Sequence, residues 1–255
     1  MARPARAGRS IGVLSDMGDT KGDKQLSRTT GNAEVDAFLE RVAMTPAPRT
    51  KGGRGRLIFA MDATASRAPT WDNACHIQGQ MFEESDSLGG LEVQLVFYRG
   101  FRECKSSPWV SDSKALLRSM ARVYCVGGNT QIERLLKHAL KENKRGKVNA
   151  LVFVGDCMEE NVDTLCHHAG ELGLLGVPIF IFHEGADPVA AQAFRQIARL
   201  SNGAYCRFDM GSAEQLRALL GAVAVFAAGG RRALEDFSKR TGGAALQITR
   251  QIGSK

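Results

Sequence analysis

Apolar positions fall into short blocks that alternate between two patterns. Leu57–Met61, Leu91–Tyr98, Ala150–Val154 and Val177–Phe182 are nearly continuous apolar runs, as strands buried on both faces should be. Ala204–Phe208 is a fifth such strand, and Phe101–Cys104 reads as a short edge strand. Between them lie segments of helical spacing: 69–84, 114–123, 130–143, 162–174, 188–200 and 213–226. This alternation predicts an α/β domain with a doubly wound, mostly parallel sheet and helices on both faces. The domain is expected over 53–228. An arm of 1–52 precedes it, with a short amphipathic helix near 33–44, and the Gly/Arg segment Lys51–Arg56 reads as a linker. Residues 229–255 form a C-terminal extension, expected to pack on the domain with a helix at 231–239 and an edge strand at 244–248.

In open α/β sheets, ligands bind beyond the carboxyl ends of the strands. The first strand ends in Asp62-Ala63-Thr64-Ala65-Ser66, and the third long apolar strand ends in Gly155-Asp156. The Gly-rich loop Gly127-Gly128-Asn129 delivers Thr130 to the start of a helix. Two carboxylates and three hydroxyls are thus predicted at one edge of the sheet. An all-oxygen set suits a hard cation, Mg²⁺ first and Mn²⁺ or Ca²⁺ next. Gly128, Asn129, Cys157 and His183 are expected to flank this site.

The pattern Asp62-x-Thr64-x-Ser66, then Thr130, then Gly155-Asp156 resembles the metal-ion-dependent adhesion site of the von Willebrand factor A (VWA) family. The resemblance runs from about Arg56 to Phe226. The family's usual first motif is Asp-x-Ser-x-Ser; Thr64 departs from it but keeps the hydroxyl. The resemblance implies a Rossmann-like VWA fold and a Mg²⁺ ion held directly by Thr64, Ser66 and Thr130. Asp62 and Asp156 would supply charge and hold waters, and a partner's Glu or Asp would complete the shell. It therefore implies a non-enzymatic, protein-binding scaffold.

Composition narrows the alternatives. The chain has 255 residues, 44% of them hydrophobic, and a formal net charge of +7. Residues 1–56 hold 11 basic and 6 acidic side chains, net +5, leaving 23 basic and 21 acidic, net +2, for the remainder. The charge therefore describes a basic arm, read as disordered, which offers nucleic acid a salt-sensitive, sequence-blind grip. No apolar run approaches the ~20 residues of a membrane span. No signal-type stretch follows the first arginines, so a cytoplasmic setting is expected. The six cysteines form no C-x-x-C pair and read as reduced thiols.

An enzymatic alternative is a phosphotransferase resembling the haloacid dehalogenases, with Asp62 as nucleophile, Asp156 as Mg²⁺ ligand, and Glu159 and Glu160 close by. Such enzymes usually place an acid/base Asp two residues after the first, where this chain has Thr64. Cys166, His167 and His168 offer metal ligands on one helix. Adjacent imidazoles there point about 100° apart, which favours a plain helix surface. The Lys/Arg cluster at 141–147 fits the favourable placement of cations at a helix C-terminus.

Overall fold

The computed structural model describes residues 37–45 apart from 39 and 43, and residues 54–71, 91–208 and 221–228. The arm before residue 37, most of the helix expected over 69–84, and the extension after residue 228 lie outside the described residues. So does the first part of the helix expected over 213–226.

Among the described residues a six-stranded sheet runs in the order β3-β2-β1-β4-β5-β6. The strands are β1 (Gly55–Asp62), β2 (Leu91–Arg99), β3 (Glu103–Ser106), β4 (Ala150–Gly155), β5 (Ile179–Glu184) and β6 (Ala204–Phe208). All neighbours pair in parallel except β3, which returns antiparallel to β2 at the edge. The helices are α1 (Ser113–Met120), α2 (Ile132–Arg145), α3 (Val162–Leu174) and α4 (Pro188–Leu200). A 3₁₀ segment, Ala65–Thr70, follows β1.

The continuous apolar strands have the cause inferred from them. Alternate residues of β1 feed two separate cores. Leu57, Phe59 and Met61 pack with Leu116 and Met120 of α1 and with residues 222–227 on one face. Ile58 and Ala60 pack with Leu135 and Leu136 of α2, Leu165 of α3 and Phe194 of α4 on the other. The fold is doubly wound, with helices on both faces of a mostly parallel sheet.

Several boundaries move. β1 starts at Gly55, two residues inside the expected linker, because the segment 221–228 lies directly against it. A Cβ on Gly55 would meet the Ala227 carbonyl oxygen at 2.0 Å. The edge strand occupies 103–106 rather than 101–104, since Gly100 takes a positive φ of 58° and turns the chain before pairing resumes. The short N-terminal helix also joins the first core. Phe38 is 1% exposed, and its ring lies 5.2 Å from that of Phe182 and 6.1 Å from that of Phe180.

Candidate metal-binding site

The strand order reverses between β1 and β4, because β2 and β3 extend the sheet to one side and β5 and β6 to the other. A crevice opens beyond the carboxyl ends of strands at such a point. Asp62 ends β1 and Asp156 follows β4. One ligand atom from each of Asp62, Asp156 and Cys157 lies within 4.8 Å of the others.

Asp62 is fully buried and held on both oxygens. Oδ1 accepts from the Thr64 backbone N–H at 2.7 Å, and Oδ2 accepts from the Tyr98 hydroxyl at 2.9 Å. Burial raises its pKa and Asp156's charge adds to that, while the Thr64 and Tyr98 hydrogen bonds oppose the rise. The Asx turn at Asp62 aims the next two hydroxyls: Thr64 Oγ1 and exposed Ser66 Oγ stand 3.1 Å apart. Asp156 differs from Asp62, for its Oδ1 is buried with no hydrogen-bond partner. Such a carboxylate oxygen is costly unless a cation or a water meets it.

Thr130 arrives on a loop stitched to both sides of the crevice. Val126 N–H donates to the Ala63 carbonyl at 3.0 Å, and Asn129 N–H to the Gly100 carbonyl at 3.2 Å. Gly128 lies so close to Gly100 that a Cβ would meet its carbonyl carbon and oxygen at 2.1 Å. Thr130 and Glu159 bond reciprocally: Thr130 N–H donates to Glu159 Oε2 at 2.9 Å, and Glu159 N–H to Thr130 Oγ1 at 3.1 Å. Glu160 takes the next N–H groups, those of Ile132 and Glu133, at 2.7 and 2.8 Å.

That pair of glutamates is what sequence reasoning placed differently. Helix α2 begins at Ile132, not Thr130, and Gln131 at its N-cap makes no side-chain cap. Glu160 caps the helix from the loop after β4 instead, where a carboxylate meets the positive end of the helix dipole. The signal was present as a helix start without Ser, Thr or Asp in the last capping position.

Two further groups border the carboxylates. Arg67 is 1% exposed and pairs with Glu184. Desolvation lowers its pKa, against the opposing pull of the Asp156 and Asp62 charges. His183, expected at the rim, is fully buried beneath the site. Its Nε2 lies 3.1 Å from the Asp156 backbone carbonyl oxygen, and its Nδ1 lies 2.9 Å from the Tyr205 hydroxyl. Since a carbonyl only accepts, Nε2 carries the proton and Nδ1 accepts from Tyr205. Desolvation lowers the His183 pKa, which keeps this neutral form. The Cys157 thiol is pushed up to about 12, chiefly by burial and then by the Asp156 and Asp62 charges. Gly128 is partly buried and Asn129 exposed at the loop's edge.

Comparison with solved structures agrees with the fold. The VWA domain of SpRpn10 superposes with a TM-score of 0.53 at 16% identity, covering 66% of this chain and 94% of that one. The fold is that of a VWA domain. Proximal thread matrix protein 1 of the mussel byssus, solved with a zinc-occupied adhesion motif, gives a TM-score of 0.55 at 15% identity. The match covers 68% of this chain and 46% of that protein. The pilus adhesin SpaC of Lactobacillus rhamnosus GG gives 0.56 at 10% identity, covering 76% of this chain and 31% of the adhesin. No family model matches the sequence, and no curated protein matches it either. Among the described residues, no helix of this VWA fold is long and apolar enough to cross a membrane.

Proposed function

We propose that this VWA-fold chain is a protein-binding module that captures a partner carboxylate through a divalent cation held at Asp62, Thr64, Ser66, Thr130 and Asp156. The observation that carries the reading is the buried, unpartnered Oδ1 of Asp156 in the same cluster as the Asp62 carboxylate. The donor set fits a cation. Thr64 and Ser66 present adjacent hydroxyl oxygens, and Thr130 Oγ1 retains a lone pair beyond the bond from Glu159 N–H. With both oxygens of Asp62 already hydrogen-bonded, its role is charge and the holding of waters. The all-oxygen part of the set favours Mg²⁺ or Mn²⁺. The ion would supply an electrophilic centre on which an incoming carboxylate completes the coordination shell.

The same geometry disfavours the phosphotransferase reading. Asp62 is fully buried and Thr64 and Tyr98 hold its two oxygens in hydrogen bonds, which leaves an in-line attack by it little access. Glu159 and Glu160 serve backbone N–H groups. A cytoplasmic setting and a non-enzymatic role form part of the proposal.

The test is affinity capture with wild type and Asp62→Ala, each in Mg²⁺ and in chelator, alongside a Mg²⁺ or Mn²⁺ titration by calorimetry. Partner and metal should be lost together, in Asp62→Ala and in chelator alike. An Asp62→Ala protein with unchanged metal and partner affinity would sink the reading. A partner retained by Asp62→Ala but lost on deleting residues 1–36 would point to the basic arm.

A further inference from the structure

A second cluster of ligating side chains lies away from the first, on α3. His167, His168 and Glu171 each offer one ligand atom within 4.8 Å of the others. Adjacent imidazoles on a helix diverge, but a residue three or four positions on reaches both. Glu171 is that residue. Its Oε2 is 3.1 Å from His168 Nδ1, and its Oε1 is 3.9 Å from His167 Nε2. The two rings stand 5.3 Å apart between centroids. Tetrahedral zinc with bonds of about 2.0–2.1 Å places its ligand atoms roughly 3.3 Å from each other. With the three ligand atoms within 4.8 Å of one another, binding draws them in by at most about 1.5 Å.

The other nitrogen of His168 is also supported. Its Nε2 lies 3.8 Å from Glu133 Oε1 on α2, and the His168 side chain is only 13% exposed. Glu133 is itself anchored by Lys137 at 2.5 Å. Closing the gap between His168 and Glu133 to hydrogen-bond distance on metal binding would fix the tautomer and raise ligand basicity, the arrangement that recurs behind metal-bound histidines.

We propose that His167 Nε2, His168 Nδ1 and Glu171 form a surface site for a borderline transition-metal cation, with Zn²⁺ as the probe. Glu133 acts as positioning residue for His168. The two-imidazole, one-carboxylate set leaves a coordination position open to water or to an outside ligand. Imidazole ligands set this site apart from the oxygen-dominated one at Asp62, so excess Mg²⁺ should not compete for it.

The experiment is calorimetric Zn²⁺ titration of the full chain in excess Mg²⁺, with circular dichroism confirming that each variant is folded. Wild type should bind zinc. His168→Ala and the near-isosteric Glu171→Gln should each weaken it more than about tenfold. Glu133→Gln should weaken it about ten- to a hundredfold, as loss of such support does elsewhere. Asp62→Ala should leave unchanged the part of the zinc binding that His168→Ala removes, so failure of this site and failure of the Asp62 site remain distinguishable. Three results would overturn the proposal: no zinc binding by wild type, unchanged binding in both His168→Ala and Glu171→Gln, or loss of zinc in Asp62→Ala.

Discussion

The Tyr98 hydroxyl donates to Asp62 Oδ2 at 2.9 Å, across two strands whose residues 62 and 98 lie in register. The bond holds a buried carboxylate in one orientation beneath the loop that carries Thr64 and Ser66. Tyr98 is 1% exposed, and burial together with the neighbouring Asp62 charge raises its pKa well above the usual phenol range, so it remains a donor. Tyr98→Phe should cost about 1–3 kcal/mol of folding stability, because the Asp62 oxygen is left unpaired. Urea unfolding would measure it, and the same variant should bind Mg²⁺ more weakly.

Glu160→Ala should remove the cap from α2 without touching the cluster of Asp62 and Asp156. Loss of two charge-assisted bonds, to Ile132 and Glu133 N–H, should destabilise the protein by roughly 1–3 kcal/mol. Hydrogen exchange should rise first at the start of α2, and Thr130 should become less well ordered. A Glu160→Ala protein as stable as wild type would show that water replaces the cap.

Gly128→Ala tests the close approach to Gly100. The added methyl would meet backbone rather than a movable side chain. The expected penalty is about 1–3 kcal/mol, as for overpacking elsewhere, with a matching fall in metal affinity as Thr130 shifts. Thermal unfolding and the metal titration read the two effects separately.

These three positions also show what the sequence did and did not disclose. The order of strands and helices was legible because β1, β4 and β5 are buried on both faces and so are uniformly apolar. Asp62 and Asp156 were legible because one ends a strand and the other directly follows one. The support beneath them was not. Tyr98 reads as one more apolar strand residue until the parallel register sets it beside Asp62. Glu159 and Glu160 read only as acidic neighbours of Asp156 in the phosphotransferase alternative until their partners, the backbone N–H groups of Thr130, Ile132 and Glu133, are seen. Boundaries failed where distant chain decided them, as at Gly55 against Ala227.

His138 gives a pH test that is independent of metal. It lies on α2 with Nε2 2.8 Å from Gln94 Oε1. Desolvation lowers its pKa below the ordinary 6.5; Glu142 opposes that shift, while Lys141 and Arg145 add to it. A group whose folded pKa is depressed binds fewer protons folded than unfolded, so stability rises with pH through the window. For a histidine the penalty is therefore absent above about 6.5 and complete below the folded value. His138→Gln should make the loss of stability between pH 7 and pH 5 shallower than in wild type, by urea unfolding at each pH. Equal slopes would show that His138 accepts its proton without penalty.

Phe38→Ala should cost about 3–5 kcal/mol, the usual range for a deleted core phenylalanine. The ring is buried against Phe180 and Phe182, so the short N-terminal helix is part of the cooperative unit. Calorimetry should show one transition at lower temperature. An unchanged midpoint would mean that this helix detaches at little cost.

The tethering of the Thr130 loop has a kinetic consequence. Its backbone is fastened to Ala63, Gly100 and Glu159 before any ligand arrives. The loop's conformational entropy is then lost on folding, not on binding, and association carries no ordering penalty for this segment. A cation entering the crevice would therefore exchange at a rate governed by the shedding of its own hydration shell. Mg²⁺, which dehydrates reluctantly, would arrive and leave slowly, while a faster-exchanging ion would sample the same oxygens many times over.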